Sequence, residues 1–173
     1  MNPLIKVALR YGVLAGIIGA GLLIGLYYMG RHPLLIPVYA DFRIIIFVVF
    51  ILFALRELRY YHQDGILYFW QGIIGSFLLT VCFATVALLA LMLFMHFVPE
   101  FLSEYIRLET DAIKSLPAEV IDRIGKGVYE EKLRSLPDTS AAALALTYFV
   151  QSFIISFFIS VILSVTLRRQ PKT

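Results

Sequence analysis

The sequence predicts an all-α polytopic membrane protein: four transmembrane helices, with a helical extracytoplasmic segment between spans three and four. Three observations lead there. From Ile66 to Val98 the chain carries no Asp, Glu, Lys or Arg, far beyond the roughly 18 apolar residues that mark a spanning helix. Three more apolar runs of spanning length accompany it. Composition agrees, since 60% of the 173 residues are hydrophobic and only 16% charged, whereas soluble domains are nearer half apolar and about a quarter charged. That length holds a single membrane domain, residues 1–173.

The first span is expected over residues 8–29. Lys6 and Arg10 ahead of an apolar stretch imitate a signal peptide. However, Tyr11 to Met29 is too long for an h-region and no small-x-small cleavage site follows, so it reads as a retained span. Gly30, Arg31, Pro33 and Pro37 then make a short loop whose prolines cannot continue a helix. Asp41 is placed to cap the second span, residues 42–60, which is dense in Ile, Val and Phe. Gln63, Asp64 and Gly65 form the next turn. The third span is set at residues 68–98. Counted from Ile66 as one helix, the run would measure about 50 Å against a hydrocarbon core of roughly 30 Å. Either it tilts and protrudes, or it begins at headgroup depth, as Tyr68, Phe69 and Trp70 favour. Pro99 ends it, and the fourth span, residues 141–167, stops at Arg168 and Arg169.

Basic residues near the span ends set orientation. Lys6, Arg10, Arg56, Arg59, Arg168, Arg169 and Lys172 fall on one side, against Arg31 and Arg43 on the other. Both termini are therefore expected in the cytoplasm. Tyr27, Tyr28 and Tyr39 would mark the outer interface, and Tyr60, Tyr61 and Trp70 the inner one. The outer segment, residues 100–138, holds nine acidic and six basic residues and so leans negative. Arg107/Asp111, Glu119/Arg123, Asp122/Lys126 and Glu130/Arg134 lie at the i,i+4 spacing that supports exposed helices. Val120, Ile121, Ile124 and Val128 form an apolar stripe, with Pro117 suited to a first turn and Gly125 and Gly127 to an end. Two or three short amphipathic helices are expected over the outer membrane face.

A four-residue repeat of small side chains runs along three spans. Ala8, Gly12, Gly16 and Ala20 line the first. Gly72, Ser76, Thr80 and Ala84 line the third, and Ser152, Ser156, Ser160 and Ser164 the fourth. Lipid gives apolar surfaces no hydrophobic reason to associate, so small residues hold spans together through close approach and interhelical hydrogen bonds. Spans one, three and four are therefore expected to form the tight core. Span two, with only Ala54 small in its interior, is expected outside it.

Chemistry-bearing patterns are scarce. No ionisable carboxylate or basic side chain falls near mid-bilayer, where proton relays, coupled transporters and voltage sensors place one. Cys82 is alone, so neither an intrachain disulfide nor a thiolate metal cluster is available. His96, Glu100 and Glu104 share i,i+4 spacing with His32 in reach, but Pro99 disturbs the helix between them, and no metal is assigned. Gln71 and Gln151 belong to opposite faces. Phosphate loops, metalloprotease helices and Ser/His/Asp sets at a common depth are lacking, so no cofactor is assigned. The net charge of +3 is scattered along termini and loops, which excludes a nucleic-acid surface. Arg56 and Arg59, three apart at headgroup depth, are candidates for an anionic lipid headgroup, or for anchoring alone.

Asp41-Phe42-Arg43 opening span two, Arg56-Glu57 closing it, and Gly65-Ile66-Leu67-Tyr68-Phe69-Trp70-Gln71-Gly72 entering span three carry a likeness to a known family. The chain resembles an uncharacterised family of four-span membrane proteins, a domain of unknown function, from Bacteroidetes-type bacteria. The likeness covers nearly the whole chain and implies inner-membrane residence, but it supplies no site residues. The expectation is a multi-pass bacterial inner-membrane protein without catalytic activity, an accessory or scaffolding subunit of an envelope assembly. Its partners would be the bilayer, an anionic lipid, and a membrane protein or further copies of itself. The alternative is a small homo-oligomeric transporter or channel with a Ser-lined path in span four.

Overall fold

Asn2 starts the first helix earlier than apolar patterning implies. Its side-chain oxygen accepts from the Leu4 N–H at 3.0 Å and Pro3 follows at the first helical position. The computed structural model describes residues 2–169, and Lys172 lies outside the described residues. The helices are α1 (Pro3–Tyr28), α2 (Phe42–His62), α3 (Phe69–Phe97), α4 (Glu100–Lys114), α5 (Ala118–Ile124), α6 (Lys126–Ser135) and α7 (Ala141–Leu167). Short 3₁₀ turns cover Pro33–Leu35, Val38–Ala40 and Leu136–Asp138. Each later long helix has a side-chain start signal. Asp41 Oδ1 accepts from the Arg43 N–H at 2.9 Å, Gln71 Oε1 from the Tyr68 N–H at 3.0 Å, and Ser140 Oγ from the Ala143 N–H at 3.1 Å.

α1, α3 and α7 are long and apolar enough to cross a membrane. α2 is not in that group, because Arg43 and Arg56 confine its charge-free run to Ile44–Leu55. α3 begins at Phe69, so Ile66–Tyr68 belong to the connection and the helix is about 43 Å long rather than 50.

α3 is the centre of the bundle. α1 and α7 pack along its two sides, and α2 lies across the space between them. The expectation that span two stands outside the core is corrected. Phe47, Ile51, Leu55 and Leu58 of α2 are sealed from the surface, and the Phe47 and Phe83 rings meet at 4.7 Å. These bulky side chains fill the space that α2 shares with α1, α3 and α7. The opposite face of α2, with Ile45 and Phe53, is exposed.

Close approach defines the other two seams. A Cβ added at Gly12 would fall 2.6 Å from the Leu79 carbonyl oxygen and 2.6 Å from Cys82 Cβ. At Gly16 it would meet Val86 Cβ at 2.7 Å, and at Gly72 Ser164 Oγ at 2.6 Å. Ala8, Gly12, Gly16, Gly72, Ser76, Thr80, Ala84 and all four α7 serines are buried. Ala20 is the departure. It is half-buried beside a narrow gap that it shares with Leu23, Ile24, Ala87 and Leu91, while Ala15 and Gly19 are buried.

The chain folds back at both ends. At the end carrying the termini, Leu67 and Arg169 pair as a single antiparallel bridge, with N–H···O distances of 3.0 and 2.8 Å. At the other end α4–α6 form a cap. Phe101 of α4 is fully buried against Tyr27 and Phe94, whereas α5 and α6 bury no residue at all. Gly125, at φ +93°, separates α5 from α6, so the expected single stripe is split and Val128 is exposed on its own helix. Lys132 to Glu109, 3.6 Å, ties α6 to α4.

Gly12→Ala should therefore lower stability in detergent by about 1–3 kcal/mol through overpacking. Gly21→Ala, where an added Cβ meets nothing within 4 Å, should leave the unfolding temperature unchanged or slightly raised. Thermal unfolding of the two variants checks this, and equal losses would show that the α1–α3 seam is not the core.

Candidate functional site

The most concentrated polar chemistry lies where α2 begins. Asp41 and Arg43 are 8% and 5% exposed, and their side chains form a forked pair. Arg43 Nε donates to both carboxylate oxygens, at 3.0 and 2.9 Å, and Nη2 donates to Oδ2 at 2.5 Å. The remaining donors reach α7. Nη1 donates to the Tyr148 carbonyl at 3.2 Å and to Ser152 Oγ at 3.3 Å, and Nη2 to Gln151 Oε1 at 3.2 Å. The guanidinium also sits 4.2 Å from the centroid of the Tyr148 ring, a cation–π contact strengthened by loss of water. Asp41 thus caps its helix as expected and also neutralises Arg43, the one buried Lys or Arg among the described residues. With every carboxylate lone-pair direction facing a donor, the group is a clamp between α2 and α7 and offers no vacant base. The Asp-x-Arg spacing in the sequence pointed to the pair. Its partners 105 to 109 residues away had no local signal.

The small rows of α3 and α7 meet as a line of hydroxyls. Thr80 donates to the Ser76 carbonyl at 2.9 Å and shares a hydrogen bond with Ser156, whose oxygen lies 3.4 Å from Ser160 Oγ. Because Thr80 gives its only proton to a carbonyl, Ser156 donates to Thr80 and Ser160 to Ser156. The line terminates on a backbone acceptor and has no titratable end. Ser152 instead donates to the Tyr148 carbonyl at 2.9 Å, and Ser164 packs on Gly72. Beside the line a groove of about 480 Å³ opens between α3 and α7. Its walls are Ile73, Phe77, Phe153 and Phe157, with the Thr80, Ser156 and Ser160 side chains at its base. Gln151 and Ser152 are not among the residues that line it.

Arg56 and Arg59 are not brought together. Arg59 folds over the end of α7, its Nη1 donating to the Leu167 carbonyl at 3.3 Å and its Nε to the Gly65 carbonyl at 3.2 Å. Such a cation satisfies and complements the negative end of the α7 dipole. Arg56 remains exposed. Glu57, between them, gathers Arg10, the Tyr11 hydroxyl (2.9 Å) and His62 (3.7 Å), which joins α1 to α2.

At the cap, His32 is buried under the rings of Tyr27, Phe101 and Tyr105, with Nε2 3.1 Å from the Phe101 carbonyl oxygen. A carbonyl only accepts, so Nε2 carries the proton and Nδ1 is the bare nitrogen, which is buried without a partner. Burial pushes the imidazole below its ordinary value, against the opposing influence of the Phe101 carbonyl and Glu104. Sequence reasoning passed over His32 except as a distant metal ligand. Among the described residues no three of His, Cys, Asp and Glu come together.

These features define a class: a helical membrane protein in which Arg43, Thr80, Ser152 and Ser156 bond to neighbouring side chains and helix backbone. The family follows from residues 10–169, which match the family described as "Protein of unknown function (DUF4199)". The chain belongs to that family, in agreement with the resemblance read from its motifs. Comparison with the curated proteins and with the solved structures found no match.

Two outcomes follow. Asp41→Ala leaves a buried guanidinium without its carboxylate and should cost about 3–5 kcal/mol; a loss below about 1 kcal/mol in denaturant or thermal unfolding would refute the clamp. His32 has a lowered folded value, so its contribution is complete above the ordinary range of about 6.5 and declines as pH falls toward the folded value. Hydrogen exchange of α4 should accelerate over that window in the native protein and become pH-independent, after intrinsic correction, in His32→Phe.

Proposed function

We propose that the chain is a non-catalytic accessory or scaffolding subunit of a bacterial envelope assembly. In this reading it lies in the inner membrane with α2 as a fourth span and both termini in the cytoplasm. One observation carries it: Ser160, Ser156 and Thr80 bond in line to the Ser76 carbonyl and Ser152 bonds to the Tyr148 carbonyl, so these hydroxyls are spent on joining helices to one another. A conduit lined by Gln151, Ser152, Ser156 and Ser160 would need these groups on one wall, and they are divided between the Arg43 clamp and the α3 seam. What the molecule offers to others is surface, namely the exposed apolar faces of α2 and α7, with Phe53 on one and Phe157 and Phe158 on the other.

α2 suits a span because its one deep cation is neutralised by Asp41, and its 21 residues measure about 32 Å, close to the hydrocarbon thickness. Orientation rests on Lys6, Arg10, Arg56, Arg59, Arg168 and Arg169, which share the end carrying the termini. With Arg59 held by α7, Arg56 and Arg59 serve as headgroup-layer anchors rather than as a paired lipid clamp.

Cysteines at Lys114 and His62 should label oppositely with an impermeant reagent on spheroplasts, position 114 reacting and 62 protected; the reverse overturns the orientation. A photo-crosslinking residue at Phe53 or Phe158 should give discrete higher-mass adducts in cells, while reconstituted vesicles should show no flux above empty ones. Flux abolished by Ser156→Leu would establish the transporter or channel instead.

A further inference from the structure

The unassigned cavity at the cap end has a chemical character of its own. About 610 Å³ in volume, it is bounded by the end of α1 (Leu26), the connection to α2 (Arg31, His32, Leu35, Ile36, Pro37, Ala40), the first residue of α2 (Phe42) and Leu108 of α4. That volume is in the range of small-molecule sites. The wall is aliphatic and aromatic with a single full cation, Arg31, and no carboxylate lines it. Among the described residues Arg31 has no ion-pair partner within 4.0 Å. The acidic side chains of α4 on either side of Leu108 are engaged elsewhere, Glu109 with Lys132 and both Asp111 and Glu104 with Arg107. Arg43, by contrast, has all its donors satisfied, so Arg31 and Arg43 have different fates.

Position explains what such a cavity can hold. It lies directly after α1, where exposed Tyr28 and Met29 mark the passage from apolar span to polar cap. The walls are held in place, since His32 is pinned to the Phe101 carbonyl and Phe42 opens a helix clamped to α7 through Arg43. An exposed guanidinium beside an otherwise aliphatic and aromatic wall matches a molecule with an anionic head and an aliphatic tail. We propose that this cavity binds an anionic phospholipid of the adjacent leaflet, phosphate on Arg31 and acyl chain against Leu35, Ile36, Phe42 and Leu108. Arginine suits that head because its fork meets two phosphate oxygens at once. The site is at the opposite end of the bundle from Arg56 and Arg59 and does not depend on the scaffolding reading.

Native mass spectrometry of the detergent-purified full chain tests it, with dioctanoyl phosphatidylglycerol, dioctanoyl phosphatidylcholine and inorganic phosphate as probes. The wild type should take up one phosphatidylglycerol about tenfold more readily than phosphatidylcholine, the loss expected when a charge-assisted contact is absent. Inorganic phosphate should not compete. Arg31→Gln should remove the preference for the anionic head, and Ala40→Trp, which fills the cavity from its exposed rim, should weaken both lipids about tenfold. Arg56→Gln should retain wild-type uptake. Equal uptake of the two lipids by the wild type overturns the proposal and needs no variant to fold. So does competition by phosphate, which would mean an anion site without a tail, and so does dependence on Arg56 in place of Arg31.

Discussion

Backbone-to-backbone approach along α3 is the condition on which the bundle depends. In a hydrocarbon solvent, burying Leu or Phe against another helix gains little over leaving it in lipid, so attraction must come from contact density and from hydrogen bonds. Dispersion falls away within an ångström of separation, which makes the absence of side chains at Gly12, Gly16 and Gly72 the enabling feature. Leu79 and Ser164 occupy the space that a methyl group would take. α1 and α7 are each drawn onto α3 by this means. α2 packs against all three, burying Phe47, Ile51, Leu55 and Leu58.

Polar groups then fix which arrangement of apolar helices is adopted. Apolar surfaces slide readily, whereas a guanidinium taken out of water tolerates few geometries. Arg43 is held by Asp41, Gln151, Ser152 and the Tyr148 carbonyl, which sets the register of α2 against α7 at one end. Glu57 with Arg10 and Tyr11 sets α2 against α1 at the other, and Arg59 caps α7. A buried pair such as Arg43–Asp41 contributes little net stability relative to apolar packing, and its better-attested role is to specify register. The cap follows the same logic on a smaller scale. Phe101 and His32 anchor α4, while α5 and α6, burying nothing, stay at the surface.

Much of the architecture was legible from residue order alone. Charge-free runs, prolines and glycines located the long helices to within a few residues, because the cost of placing charge in lipid and the missing N–H of proline act locally. The small rows were also visible, and their members are buried apart from Ala20, which is half-buried beside a gap facing α3.

Which face of α2 is buried was not legible. In water an apolar stripe marks the inward side, but here Ile45 and Phe53 outside are as apolar as Phe47 and Ile51 inside, so periodicity carries no information. Nor could the sequence join Arg43 to Tyr148, Gln151 and Ser152, or divert Arg59 to the Leu167 carbonyl, because those contacts are created by the crossing of helices a hundred residues apart. The sequence by itself determined where the helices lie and which surfaces allow close approach, since both depend on side-chain size and charge at single positions. The tertiary structure alone decided which charges meet and which, like Arg31, are left facing a cavity. That outcome depends on the relative rotation of whole helices, which no local pattern records.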